Sequence, residues 1–60
     1  MDFHMGEQVE VFDEIEDDWF EGTIVEPYDD GALVEYETSS YWHVKTVKFE
    51  YIRKRSTDTK

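Results

Sequence analysis

Residues 9–26 read VEVFDEIEDDWFEGTIVE, and this stretch decides the fold. Val9 and Val11 fall on one side of an extended chain and Glu10 and Phe12 on the other, so Gln8–Asp13 has the period-two pattern of a half-buried strand. Residues 14–18 form a charged loop. Alternation resumes over residues 19–26, where Phe20, Gly22 and Ile24 share a face opposite Trp19, Glu21, Thr23 and Val25. Gly22 inside that strand marks a sharp bend or a close backbone approach. The stretch therefore predicts a strand pair around an acidic turn, with no Lys or Arg in it.

Working outward, PYDDG at residues 27–31 predicts a hairpin turn, with Pro27 fixing φ and Gly31 placed to take a positive φ. Residues 32–37 make a third strand, with Ala32, Val34 and Tyr36 facing one way. TSSYWH reads as a loop leading to KTVKF, where Val47 and Phe49 alternate. Glu50 and Tyr51 make a tight turn, after which Ile52–Lys54 closes the sheet. No segment has helical periodicity over the length a helix needs. The expectation is an all-β, five-stranded, strongly bent antiparallel barrel over residues 6–54. Its inward residues are Val9, Val11, Ile24, Val34, Val47, Phe49 and Ile52. Closure suits so small a chain because it hides sheet edges. Residues 1–5 read as a lead-in and 55–60 as a flexible basic and polar tail, RKRSTDTK having no apolar residue.

Charge is segregated. Residues 1–44 hold fourteen Asp or Glu and no Lys or Arg, while all six Lys and Arg lie from Lys45 onward. The net charge of −10 disfavours phosphate contacts with DNA or RNA and favours a cationic partner. The absence of cysteine excludes disulfides and thiolate metal sites and points to an intracellular setting. No apolar run reaches membrane-spanning length, and MDFHMGEQ lacks the basic and apolar regions of a signal peptide. His4 and His43 have no partner at metal-ligand spacing, and DEIEDD lacks the glycine and terminal Glu of a calcium loop. Neither a phosphate-cradling glycine loop nor a reason for a raised carboxylate pKa is present. No metal, cofactor or catalysis is expected.

The order and spacing of GEQVEVFDEIEDDWFEGTIVE, GALVEYE and KTVKFEYIR resemble the Tudor and Agenet domains of the Royal superfamily. The flavour is that of the Agenet-type Tudor modules of the fragile X protein family, and the resemblance covers roughly residues 5–54. It implies an SH3-like (Tudor-type) barrel that binds rather than catalyses and holds methylated lysine or arginine in an aromatic cage. It further implies a basic protein tail as partner, histone or Arg-Gly-rich. A monomeric module of a larger chain follows too, in the nucleus or in cytoplasmic ribonucleoprotein. By position, Phe20, Tyr36 and Tyr41 match cage aromatics, with Trp42 a further wall, and Asp13 and Glu37 supply charge. Asp13 is a departure, because Tudor cages often carry Trp or Tyr there.

Physical chemistry supports such a site independently: a methylammonium is weakly hydrated and is attracted to ring faces by about 0.5–2 kcal/mol per contact. Carboxylates add steering for a cationic tail. An open carboxylate beside the cage would favour lower methylation states, whose remaining N–H can donate to Asp13 or Glu37. On this reading Tyr36→Ala abolishes binding and leaves the fold intact.

Each group also has a plainer reading. Phe20 and Tyr36 can cap the barrel core. Trp19 points away from Phe20 and packs against Phe3 or an outer surface. The acidic loop can be a solvated face, and Lys45, Lys48, Arg53, Lys54 and Arg55 can balance the acidic strands. Two other functions stay open: a degenerate cage that binds unmodified partners, and an acidic mimic of nucleic acid that needs charge spacing but neither Tyr36 nor Tyr41.

Overall fold

The computed structural model describes residues 3–55. Its strands are β1 (Gln8–Asp13), β2 (Asp18–Pro27), β3 (Gly31–Glu37), β4 (Trp42–Lys48) and β5 (Ile52–Lys54), with a 3-10 turn at Phe49–Tyr51. They form one antiparallel sheet in the order β4-β3-β2-β1-β5. The all-β architecture is the one the alternation predicts. Among the described residues there is no α-helix, and no helix long and apolar enough to cross a membrane.

The sheet wraps around its own core without closing. Val9, Val11, Ile24, Ala32, Val34, Tyr36 and Ile52 are buried in one cluster, drawn from every strand except β4. Val47 and Phe49, expected inside, are only half-buried against it. β5 pairs with β1 through Val9↔Lys54 and Val11↔Ile52, and among the described residues no ladder joins β5 to β4. The expected closure is thus corrected. β5 has only three residues, and the 3-10 turn consumes the chain that would have extended it.

Two glycines show how the bend is made. A Cβ at Gly22 would lie 2.8 Å from the Glu35 carbonyl oxygen and 2.9 Å from Tyr36 Cβ, so β2 and β3 approach closely only because that atom is missing. A register shift between Ile24 and Glu26 leaves Val25 as the extra residue of a bulge, which bends β2 further. Gly31 does not take the positive φ assigned to it. It lies in β3, where a Cβ would collide with the Val47 carbonyl oxygen at 2.2 Å. Left-handed backbone falls instead on Gly6 (φ 85°) and, in the β1–β2 turn, on Asp17 (φ 58°).

Three further expectations are revised. β4 begins at Trp42, so Trp42 and His43 are strand residues rather than loop. The preceding turn is tight: the Thr38 amide donates to the Tyr41 carbonyl (2.8 Å) and the Thr38 hydroxyl accepts from the Tyr41 amide (3.0 Å). The lead-in supplies a core residue, since Phe3 is buried and stacks on Phe49 with ring centroids 5.5 Å apart. At the other end, Arg55 donates to Gln8 Oε1 (3.0 Å) and Glu21 Oε2 (2.9 Å), so the part of the expected tail that is described is tethered. Residues 56–60 lie outside the described residues.

Candidate functional site

Strand parity divides the six residues singled out in the sequence between the two faces of the sheet. Val9, Val11 and Asp13 point inward from β1, so Asp13 is carried to the end of the core and is only 2% exposed. Such a carboxylate must be hydrogen-bonded to stay charged. Oδ1 accepts the amides of Ile15 and Glu16, both at 2.9 Å, fixing the β1–β2 turn. Oδ2 accepts the Tyr36 hydroxyl at 2.6 Å. These donors, led by the Tyr36 hydroxyl and aided by Lys45, hold the Asp13 carboxyl below its ordinary range despite burial. Burial, reinforced by the Asp13 hydrogen bond, pushes the Tyr36 phenol well above its ordinary range.

Tyr36 is 1% exposed. Its ring stacks between Phe20 (centroids 6.5 Å apart) and His43 (5.0 Å). Tyr41 meets the His43 ring edge-on at 6.3 Å and is itself 71% exposed. Lys45 places its ammonium 5.7 Å from the Tyr36 centroid. The inner cluster therefore has a buried floor of Tyr36 and Asp13 and a more accessible rim of Phe20, His43 and Tyr41.

This geometry corrects two expectations. Asp13 does not line an open side of a cage, because both of its oxygens are occupied within the protein. Tyr36 is part of the folding core, so its removal cannot leave the fold untouched. Sequence reasoning weighed His43 only as a metal ligand and Lys45 only as a balancing charge, and placed neither beside Tyr36. Reading β4 from Trp42 would have found them, since alternation then puts His43, Lys45 and Val47 opposite Tyr36, Val34 and Ala32.

Glu37 and Trp42 are register partners on the outer face, away from this cluster. With Glu21, Thr23 and Glu35 they border a groove of about 430 Å³, and Gln8 lies at its far side. Trp42 is 60% exposed there. Among the described residues, neither Glu35 nor Glu37 forms an ion pair.

Trp19 also belongs to the outer face. It packs on Phe12 (5.4 Å, edge-on) rather than on Phe3, and the Arg53 guanidinium lies 4.0 Å above its ring. The basic end does pair with the acidic strands: Arg53 with Glu10 (2.5 Å), Lys54 with Glu7 (2.7 Å) and Arg55 with Glu21 (2.9 Å). Among the described residues no cluster of His, Asp or Glu is arranged to hold a metal ion. In comparisons with known protein families, curated proteins and solved structures, nothing matches this chain.

Proposed function

We propose that the chain is a non-catalytic binding module for a basic protein tail, histone or Arg-Gly-rich, taking methylated lysine or arginine at the inner aromatic cluster. The observation that carries this reading is the Lys45 ammonium, 5.7 Å from the Tyr36 ring centroid. The chain's own cation already lies within cation–π range of one ring of the cluster. Phe20 and Tyr41 are the walls a ligand reaches, Tyr36 is the floor, and Asp13 gives the floor negative potential without contacting the ligand. A methylammonium competes with Lys45 by virtue of its weaker hydration, not its charge. With so shallow a rim the expected Kd is on the order of tens to hundreds of micromolar.

The test is an NMR titration with methylated and unmodified histone-tail and Arg-Gly peptides. Methylated peptides should shift Phe20, Tyr41 and His43, and Tyr41→Ala should abolish the effect with the fold unchanged. If methylated peptides perturb none of Phe20, Tyr36 and Tyr41, the reading fails. A second reading, a cage filled by its own groups that binds unmodified basic segments, draws support from the hydrogen bond between Tyr36 and Asp13. It expects Tyr41→Ala to be silent.

A further inference from the structure

We infer that the outer groove walled by Trp42 takes an unmodified arginine side chain from an extended basic segment of a partner protein, and that Arg55 is its built-in competitor. The inference concerns the opposite face of the sheet from the inner cluster and does not depend on methylation.

The protein contains its own template for this recognition. Arg53 lies with its guanidinium 4.0 Å above the Trp19 ring while its Nε donates to the Glu10 carboxylate. A planar guanidinium suits this pairing because it stacks on an indole and hydrogen-bonds in its own plane at once, which a lysine ammonium cannot do. The groove repeats the same ingredients further across the sheet. Glu37 is the register partner of Trp42, and Glu35 lies one position along the same outward row of β3. Here the indole is exposed, and neither carboxylate is paired with any described cation.

Arg55 marks the entrance. Alternation along the chain puts it on the same side as Arg53, and it donates to Gln8 and Glu21, both of which line the groove. A guanidinium therefore already sits at one end of the site, held by a carboxylate and an amide oxygen. An incoming arginine engages Glu37, Glu35 and Trp42, and its neighbouring residues contend with Arg55 for Glu21. The charge of the whole chain, −10, favours the approach of such a segment.

The test is a titration of the full chain, followed by NMR, with an unmethylated Arg-Gly repeat peptide and its Lys-Gly counterpart. The expected result is a shift of the Trp42 indole N–H and of the Thr23, Glu35 and Glu37 amides, with Phe20 and Tyr41 unmoved. The arginine peptide should bind several-fold more tightly than the lysine peptide. Trp42→Ala and Glu37→Gln should each weaken binding about threefold to tenfold, the range of an exposed cation–π or charge-assisted contact. Arg55→Ala should tighten binding more than Lys48→Ala, which makes the same change in net charge elsewhere. Binding that leaves Trp42 and Glu37 unshifted would overturn the inference, as would equal affinity for the two peptides. So would identical effects of Arg55→Ala and Lys48→Ala. Shifts confined to Phe20, Tyr41 and His43, and seen only with methylated peptide, would support the inner cluster and reject this groove.

Discussion

Asp13 and Glu37 are both carboxylates beside aromatic rings, and they stand on β1 and β3 of one small sheet, with β2 between them, yet they do opposite things. Asp13 faces inward, is occupied by two turn amides and a tyrosine hydroxyl, and organises the end of the core. Glu37 faces outward beside an exposed indole and meets no described cation. The functional group is the same; strand parity and burial decide whether its charge is used within the fold or left facing solvent. The comparison makes sharp demands on mutants, because changes at the buried residues should act on stability and changes at the exposed ones on binding.

The largest effect belongs to Tyr36. Tyr36→Ala removes the largest fully buried side chain and takes the hydroxyl donor from Asp13 Oδ2. A loss of about 3–5 kcal/mol is expected from the lost burial and the cavity together, which in a chain of this size leaves little folded protein. Denaturant melts would measure it, and a folded Tyr36→Ala domain would break the division between buried and exposed residues.

Asp13→Asn should cost about 1.5–3 kcal/mol at neutral pH, the worth of hydrogen bonds to a charged group. Its pH dependence is the sharper readout. The Asp13 carboxyl lies below its ordinary range in the folded chain, so the unfolded chain takes up the proton more readily. The stabilisation is present above the ordinary carboxylate pKa of about 3.9 and is lost as pH falls through the folded value. The difference in stability between wild type and Asp13→Asn should therefore shrink on acidification. A constant difference would show that the carboxylate charge is not what the site uses.

Charge reversal in the β1–β2 turn comes next. Changing Glu16, Asp17 and Asp18 to Lys should slow association with a cationic peptide more than it speeds dissociation, and binding should weaken with added salt. Stopped-flow rates at two ionic strengths would check both. Salt-indifferent binding would leave this turn a solvated cap. The smallest effect on stability is expected for Trp42→Ala: within about 0.5 kcal/mol, as for other exposed positions. A larger loss of stability would make Trp42 a structural residue.

These contrasts also explain what could be read from the sequence. Strict alternation in Gln8–Asp13 and around Ile24 and Val34 put the right residues in the core, because a one-residue slip would have turned Val9, Val11 and Val34 outward. Gly22 announced its close approach, having no other reason to interrupt a strand. The misreadings share a cause. Thr38, Ser39 and Ser40 look like the start of a long loop, but Thr38 ties off a tight turn with its own hydroxyl, and β4 starts sooner. Missing that start hid the parity of His43 and Lys45, and it put Trp42 on the same face as Tyr36, from which alternation turns it away. Asp13 was misjudged because Tyr36, the partner of its second oxygen, is set by tertiary geometry. Local pattern carries no trace of a hydrogen bond across twenty-three positions.

The unclosed sheet has a consequence for the protein as a solute. β4 presents a full-length strand edge with Val44 and Trp42 exposed on it, the kind of surface on which a second chain can extend a sheet. Its local guards are Lys45 and Lys48; the broader protection is mutual repulsion between molecules that each carry −10. That repulsion vanishes at the isoelectric point, near pH 4.3. Light scattering across a pH series should find self-association rising as that pH is approached from above and falling when a proline is placed in β4, where it removes a ladder-forming N–H. A chain that gains its solubility from charge rather than from closure should be colloidally stable at neutral pH and fragile in mild acid.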